Sequence, residues 1–147
     1  MSATHLLDVN VLIALADPGH EYHLAAVAWR DGQPRLRWAT SPLTENAMLR
    51  ILSQPAYPRT LGAPAAVLPL LLAMRRAEGH EFWPDDVSLS EPRLFPSLAG
   101  LRGPQLTDVY LLGLAVQRKG RFATFDTRVP AEIIPDSAAA LVLIPTS

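Results

Sequence analysis

Short apolar runs alternate with longer segments of mixed character along the whole chain. Four runs of six or seven residues have the composition of buried β-strands, because they are largely apolar and bounded by turn residues. A fifth, more polar segment is compatible with another short strand. These predicted strands are residues 4–9, 35–40, 85–90, 121–126 and 139–145.

Between the strands, apolar residues recur at the three- and four-residue spacing of helices. The predicted helices are residues 22–32, 41–55, 62–80 and 105–120, and residues 11–17 begin a further helix or turn. Ser41 is a suitable N-cap for its helix, with Pro42 as the first helical residue, and Thr107 is a suitable cap for the last helix. Pro69 is expected to kink or break its helix, because an interior proline costs about 3 kcal/mol.

The order of these elements favours an α/β fold. Apolar strands that alternate with helices are typical of a mostly parallel sheet, here of about five strands, covered on both faces. A chain of 147 residues fits one domain, residues 1–147, with a sizeable core. In the helix 22–32, the side chains of Leu24, Val27 and Ala28 share one apolar side.

Composition narrows the class of protein. Apolar residues make up 49% and charged residues 18%, which is a globular composition. The absence of cysteine excludes disulfides, thiolate metal sites and cysteine nucleophiles, and is compatible with a cytoplasmic location. The apolar stretch 61–74 is too short to span a bilayer, and the acidic Asp8 interrupts the N-terminal apolar run, so neither a membrane anchor nor a signal peptide is expected.

Four acidic residues lie where the predicted elements meet one edge of the sheet. Asp8 ends the first strand, Glu45 follows the second strand in the first turns of a helix, Asp108 begins the last helix, and Asp126 follows the fourth strand. In an open parallel sheet, ligands gather at the carboxyl ends of the strands. Taken singly, each acid could instead cap a turn or favour a helix N-terminus.

A cluster of these acids would need a counter-charge, because neighbouring carboxylates repel and burial raises the cost. A bound divalent cation meets that need, and Mg²⁺ prefers hard oxygen ligands at about 2.0–2.1 Å. Asn10, Ser41 and Thr124 supply neutral oxygens near the same edge. The net charge of −1 indicates that any nucleic-acid binding would depend on local contacts and not on the field of the whole protein.

Several segments together resemble the PIN-domain ribonucleases, and most closely the VapC-like toxins of bacterial toxin–antitoxin pairs. They are "LLDVNVLIAL", "TENAMLRIL", "LTDVYLLGLAVQRKGRFATFD" and the closing "LVLIP", which cover nearly the whole chain in order. The resemblance implies a three-layer α/β/α sandwich. It also implies an endoribonuclease that depends on Mg²⁺ or Mn²⁺, cuts structured RNA such as tRNA or rRNA, and forms a homodimer inhibited by a cognate antitoxin.

The catalytic acids of that family carry over onto four positions of this chain: Asp8, Glu45, Asp108 and Asp126. The resemblance implies that the three aspartates hold one or two metal ions and that the glutamate orients the attacking water or helps to deprotonate it. The polar positions of the family fall on Asn10 and Thr124. Thr127 and Arg128 follow Asp126, so the chain has no fifth acid there for a second metal.

Other residues are candidate RNA contacts. Arg128 is the strongest because it follows Asp126 closely, and Arg50 is another. Phe82 and Trp83 could stack on unpaired bases if exposed, although a core or dimer-interface role is the commoner one for such a pair.

Two further functions stay open from the sequence. One is a PIN-like module that binds RNA or a protein without catalysis. The other is a phosphatase of the haloacid-dehalogenase type, whose pattern needs a second aspartate where this chain has Asn10.

Overall fold

A computed structural model describes residues 3–147. In that part of the chain, five strands and five α-helices follow one another in the order β1 His5–Leu7, α1 Val9–Ala16, α2 His23–Asp31, β2 Trp38–Thr40, α3 Pro42–Leu52, α4 Pro64–Arg75, β3 His80–Phe82, α5 Leu106–Gln117, β4 Arg121–Thr124 and β5 Leu141–Leu143. Two short 3₁₀ turns, Gly103–Gln105 and Ala131–Ile133, lie before α5 and β5.

The five strands form one sheet in the order β3-β2-β1-β4-β5, and every neighbouring pair is parallel. The predicted α/β fold with a parallel sheet is therefore confirmed. β1 is the central strand, and the chain winds outward from it in both directions. Such a reversal in strand order leaves a crevice at the carboxyl ends of the strands, where α/β proteins place their ligands.

The central strands bury both of their faces, which gives the predicted three layers. Successive side chains of a strand point to opposite faces. Leu6 and Phe122 pack with α5 on one face, whereas Leu7 and Ala123 pack with residues of α1, α2, α3 and α4 on the other. All four of these strand residues are 0–1% exposed.

The third strand was predicted in the wrong place. It is His80–Phe82, and residues 85–90 form no strand. The polar groups of that segment make local contacts instead: the Asp85 carboxylate accepts a hydrogen bond from the Leu43 amide, and the hydroxyls of Ser88 and Ser90 bond to each other. β3 is an edge strand that is only half-buried, so its residues lack the apolar signal of the central strands.

The helices agree with the predicted segments but differ in detail at Thr107, at Pro69 and in the side of α2 that faces the core. Ser41 caps α3 as predicted, in a capping box with Thr44. Thr107, by contrast, lies inside α5, because the 3₁₀ turn ahead of the helix already redirects the chain and makes Gln105 the N-cap. In α2 the buried residue is Ala26, and Leu24 on the predicted apolar side is 81% exposed.

Pro69 does not interrupt α4, which runs from Pro64 to Arg75. A proline at this position leaves the carbonyl of Ala65 without its helical donor. Both residues are exposed, so water can satisfy that carbonyl. Within residues 3–147, none of the helices has the length and apolar character needed to cross a lipid bilayer.

Phe122→Ala tests the two-sided burial of the central strands. Phe122 is fully buried, so its truncation should lower the free energy of unfolding by about 3–5 kcal/mol. Leu24→Ala removes a side chain that already faces water and should change that free energy by less than about 0.5 kcal/mol. Urea unfolding followed by circular dichroism measures both, and equal losses would contradict the packing described here.

Candidate active site

Asp8 is the buried centre of the predicted acidic cluster. It directly follows β1 and is the N-cap of α1, where its Oδ1 accepts a 2.7 Å hydrogen bond from the Val9 amide. Its Oδ2 accepts a 2.7 Å hydrogen bond from the Thr124 hydroxyl, and the residue is 6% exposed. The capping role that the sequence left open is thus real, and it fixes the carboxylate at the carboxyl end of the central strand.

Thr124 joins the ends of β1 and β4. Besides donating to Asp8, its Oγ1 accepts hydrogen bonds from the Asp126 amide at 3.0 Å and from Asn10 Nδ2 at 3.3 Å. The Oδ1 atom of Asn10 is buried and has no hydrogen-bond partner among residues 3–147. The structure therefore brings together both neutral residues that the resemblance points to, and leaves one acceptor oxygen unused beside them.

The ionisation of Asp108 is disfavoured by the charges of the other two aspartates. It lies in the first turn of α5, and its pKa is raised to about 6, first by partial burial and then by the charges of Asp8 and Asp126. The pKa of Asp8 is also raised, mainly by burial, despite the hydrogen bonds from Thr124 and Val9. Two of the three carboxyl groups thus resist ionisation in their native positions.

Asp126 differs because it has a cation of its own. The Arg128 side chain reaches Asp126 Oδ1 at 3.1 Å, and the Arg128 amide donates to the same oxygen at 2.8 Å. These contacts lower the pKa of Asp126. The Arg128 side chain is 86% exposed, so this guanidinium can move to another anion at little structural cost.

Glu45 belongs to a separate cluster one strand away. Its Oε2 accepts hydrogen bonds from Thr40 Oγ1 at 2.6 Å and from Arg75 Nη1 at 2.5 Å. His80 Nε2 lies 2.8 Å from the same Thr40 hydroxyl. The structure thus places Glu45 at the expected edge of the sheet but shows no contact between it and the three aspartates.

Two other predicted residues have different surroundings. The Ser41 side chain is buried and used by the α3 cap, where its Oγ accepts from the Thr44 amide at 3.4 Å. Arg50 lies in the last turn of α3, five residues beyond Glu45 and therefore about 7.5 Å along the helix, away from the acidic edge.

Sequence reasoning missed the partners of Glu45. Thr40 could have been found, because it ends a predicted strand just as Thr124 does. Arg75 and His80 could not, because their proximity to Glu45 depends on how α4 and the misplaced strand β3 pack against β2 and α3.

Residues 3–147 contain no group of three acidic, histidine or cysteine side chains close enough together to be a finished metal centre. The donors nevertheless fit a divalent cation. Asp8 and Asp108 offer carboxylate oxygens whose ionisation is disfavoured, and the Asn10 amide oxygen is a buried acceptor without a partner among residues 3–147. A hard cation such as Mg²⁺ or Mn²⁺ would relieve the repulsion and use these oxygens.

A cavity of about 1150 Å³ opens at the opposite edge of the sheet. It lies between the end of α1, the segment before β2 and the turn before β3. None of the four acids lines it, so it is not part of the acidic site.

The sequence is similar to several known proteins, and those reported below are all VapC ribonucleases. No family model matches the sequence. The chain is 41% identical to Ribonuclease VapC44 of Mycobacterium tuberculosis over 131 residues, which cover 88% of this chain and 91% of that protein. It is 40% identical to Ribonuclease VapC39 of the same organism over 137 residues, which cover 93% and 95%.

Among solved structures, the fold is similar to that of VapC20 of Mycobacterium tuberculosis, described as a sarcin-ricin loop cleaving toxin. The TM-score is 0.64 at 14% sequence identity, with 88% of this chain and 95% of that chain covered. At this identity the likeness concerns the fold alone, and it agrees with the three-layer arrangement described above.

The interactions among the aspartates predict how each carboxyl group titrates and how the stability of the protein depends on pH. In metal-free protein, the Asp108 carboxyl should titrate with a midpoint near 6 by ¹³C NMR, and Asp126 should titrate below the usual range. Because the folded-state pKa of Asp108 is raised, ionisation of this residue lowers stability as pH rises from about 4 through 6. Asp8→Asn should move the Asp108 midpoint down, and a midpoint that stays in place would show that the two groups are not coupled.

Proposed function

Because the chain belongs to the VapC family of ribonucleases, we propose that it is an endoribonuclease toxin that uses Mg²⁺ or Mn²⁺ to hydrolyse phosphodiester bonds in structured RNA. The observation that carries this proposal is the buried Asp8 carboxylate, whose charge helps to raise the pKa of Asp108. A module that only bound RNA or protein would gain nothing from two acidic residues in positions that disfavour their ionisation. A metal-dependent nuclease needs such residues to bind its cation.

Asp8, Asp108 and Asp126 would hold the cation. Such a cation lowers the pKa of water and stabilises charge on a phosphate. The Thr124 hydroxyl and the Val9 amide fix the orientation of the Asp8 carboxylate before any ligand arrives. Asn10 Oδ1 is free to accept a hydrogen bond from water in the site.

The Arg128 side chain would bind either the Asp126 carboxylate or a phosphate of the RNA. In the structure it neutralises Asp126, and its exposed side chain can turn from that carboxylate to a phosphate of the RNA when a cation takes its place. This role agrees with the preference of arginine for two-point contacts with phosphate.

Glu45 would position the attacking water or accept its proton. Thr40 and Arg75 both bond to its Oε2 atom, so its position does not depend on the substrate. The contact between Glu45 and the nucleophile would form only with RNA in place, since catalytic hydrogen bonds are often completed by the substrate.

The resemblance favours tRNA or rRNA as the substrate, a cognate antitoxin as the inhibitor and the cytoplasm as the location, because the RNA and the antitoxin are found there. A phosphatase of the haloacid-dehalogenase type is not favoured, since Asn10 is bonded to Thr124 and takes the place of the second aspartate.

Cleavage of total cellular RNA tests the proposed activity. The purified protein should give discrete fragments with Mg²⁺ or Mn²⁺ and none with excess EDTA. Asp8→Asn should reduce cleavage by at least a hundredfold while the protein stays folded, because a ligand is lost but the amide still fits the helix cap. Leu24→Ala serves as a folded control. Intact RNA under all metal conditions, with bound antitoxin excluded by mass spectrometry, would favour the binding-module alternative.

We also propose that the protein forms the homodimer that the resemblance implies, and light scattering tests this. A chain of 16.0 kDa should elute with twice that mass at micromolar concentration. A mass of one chain over the whole concentration range would show that the protein acts as a monomer.

A further inference from the structure

An aromatic side chain is exposed near the acidic edge of the sheet. Phe82 is the last residue of the edge strand β3 and is 43% exposed, whereas the next residue, Trp83, is 5% exposed and packs with the α5 side of the core. The two aromatic residues that are neighbours in sequence therefore have different roles. Core packing explains Trp83 but leaves much of the Phe82 ring in water.

Arg75 links this ring to Glu45. The Arg75 Cζ lies 4.7 Å from the centroid of the Phe82 ring, and Nη1 of the same guanidinium bonds to Glu45. Among residues 3–147, that is the single hydrogen bond the Arg75 side chain donates, although a guanidinium has five N–H donors. The side chain is 36% exposed, so the remaining donors can reach a ligand from solvent.

The position of the ring relative to the aspartates follows from the strand register. Phe82 pairs with Thr40, and Ala39 pairs with Leu6, so β2 alone separates the end of β3 from the end of β1. Neighbouring strands are about 4.8 Å apart, which places the Phe82 backbone roughly 10 Å from the strand end that carries Asp8. Glu45 accepts a hydrogen bond from Thr40, the last residue of the intervening strand β2.

We propose that Phe82 and Arg75 form a nucleotide subsite beside the cleaved bond. An unpaired base stacks on the exposed part of the Phe82 ring, and Arg75 donates to the phosphate next to it. Aromatic rings bind unpaired bases of any sequence in this way, and arginine contributes both charge and directed donors. The subsite extends the proposed ribonuclease function and rests on it.

This subsite predicts a preference for an unpaired nucleotide next to the cut. A paired base is already stacked within its helix and cannot also cover the ring. RNA loops and bulges would therefore be favoured over continuous duplex.

RNA binding tests the subsite without depending on catalysis. The probe is a fluorescein-labelled, unpaired RNA oligonucleotide of mixed sequence, and binding to Asp8→Asn protein is followed by anisotropy. Adding Phe82→Leu should weaken binding roughly tenfold, and Phe82→Tyr should restore it, because both Phe and Tyr offer an aromatic face. An oligonucleotide of the same length made of abasic sites should bind equally to Asp8→Asn protein with and without Phe82→Leu.

The chain offers a matched control. Leu143 is the last residue of β5, the opposite edge strand, and is 46% exposed. Leu143→Ala should leave RNA binding unchanged. Arg75→Gln, measured in the same Asp8→Asn protein, should lower the slope of log affinity against log salt by about one, because one phosphate contact is lost.

Kinetics separate the subsite from the proposed activity. With active protein, Phe82→Leu should raise KM by a larger factor than it lowers kcat for a fragment mapped from total RNA. Metal-dependent cleavage with the same KM in Phe82→Leu would overturn the subsite and keep the ribonuclease. Absence of cleavage by the unaltered chain, with oligonucleotide binding that depends on Phe82, would do the opposite. Loss of self-association in Phe82→Leu with RNA binding unchanged would assign the ring to a protein interface and overturn the proposal.

Discussion

The buried hydrogen bond from the Thr124 hydroxyl to the Asp8 carboxylate joins the ends of β1 and β4 and adds to the backbone pairing of the two strands. It is local in space but joins residues 116 positions apart. For the contact to form, β1 and β4 must be adjacent and in register, and α1 must begin directly after Asp8. The segment that contains α2–α5 returns the chain to the sheet so that β4 lies next to the central strand β1, which places Thr124 beside Asp8.

This hydrogen bond does not fully stabilise the negative charge of the buried Asp8 carboxylate. Two hydrogen bonds to Asp8 do not compensate for its burial, and Asp108 approaches from α5 with a pKa raised to about 6. Arg128 compensates for Asp126 alone. A site that was purely structural would have evolved an amide or an apolar residue at one of these positions, since an unpaired buried charge is strongly unfavourable. The divalent cation that we propose would explain why the acids are kept together.

The sequence was most informative where burial is complete. β1, β4 and α5 were predicted because they are rich in apolar residues, most of which are buried, and the acids between them could then be assigned to one edge. β3 was misplaced because an edge strand with the sequence His-Glu-Phe has no such pattern. The side of α2 that faces the core also could not be read from spacing, since Leu24 and Ala26 are both apolar and packing selects between them.

The cluster around Glu45 lay beyond sequence reasoning for a different reason. Arg75 and His80 come from elements whose relative position is fixed only by the packed sheet, and nothing in either residue's neighbourhood along the chain points to Glu45. Chain order predicts which residues reach an edge of a sheet. It does not predict which of them share a hydrogen bond there.

The native fold brings carboxylates together at a cost in ionisation, and a divalent cation would remove that cost. The most direct test is urea unfolding of the purified chain with and without Mn²⁺, at pH 7.5. A cation that binds the folded state should raise the free energy of unfolding by about 2.7 kcal/mol at a hundred times its dissociation constant. Asp108→Asn should be more stable than the unaltered chain without metal and should gain much less from Mn²⁺. If Mn²⁺ leaves the stability of the unaltered chain unchanged, the acids do not form a metal site.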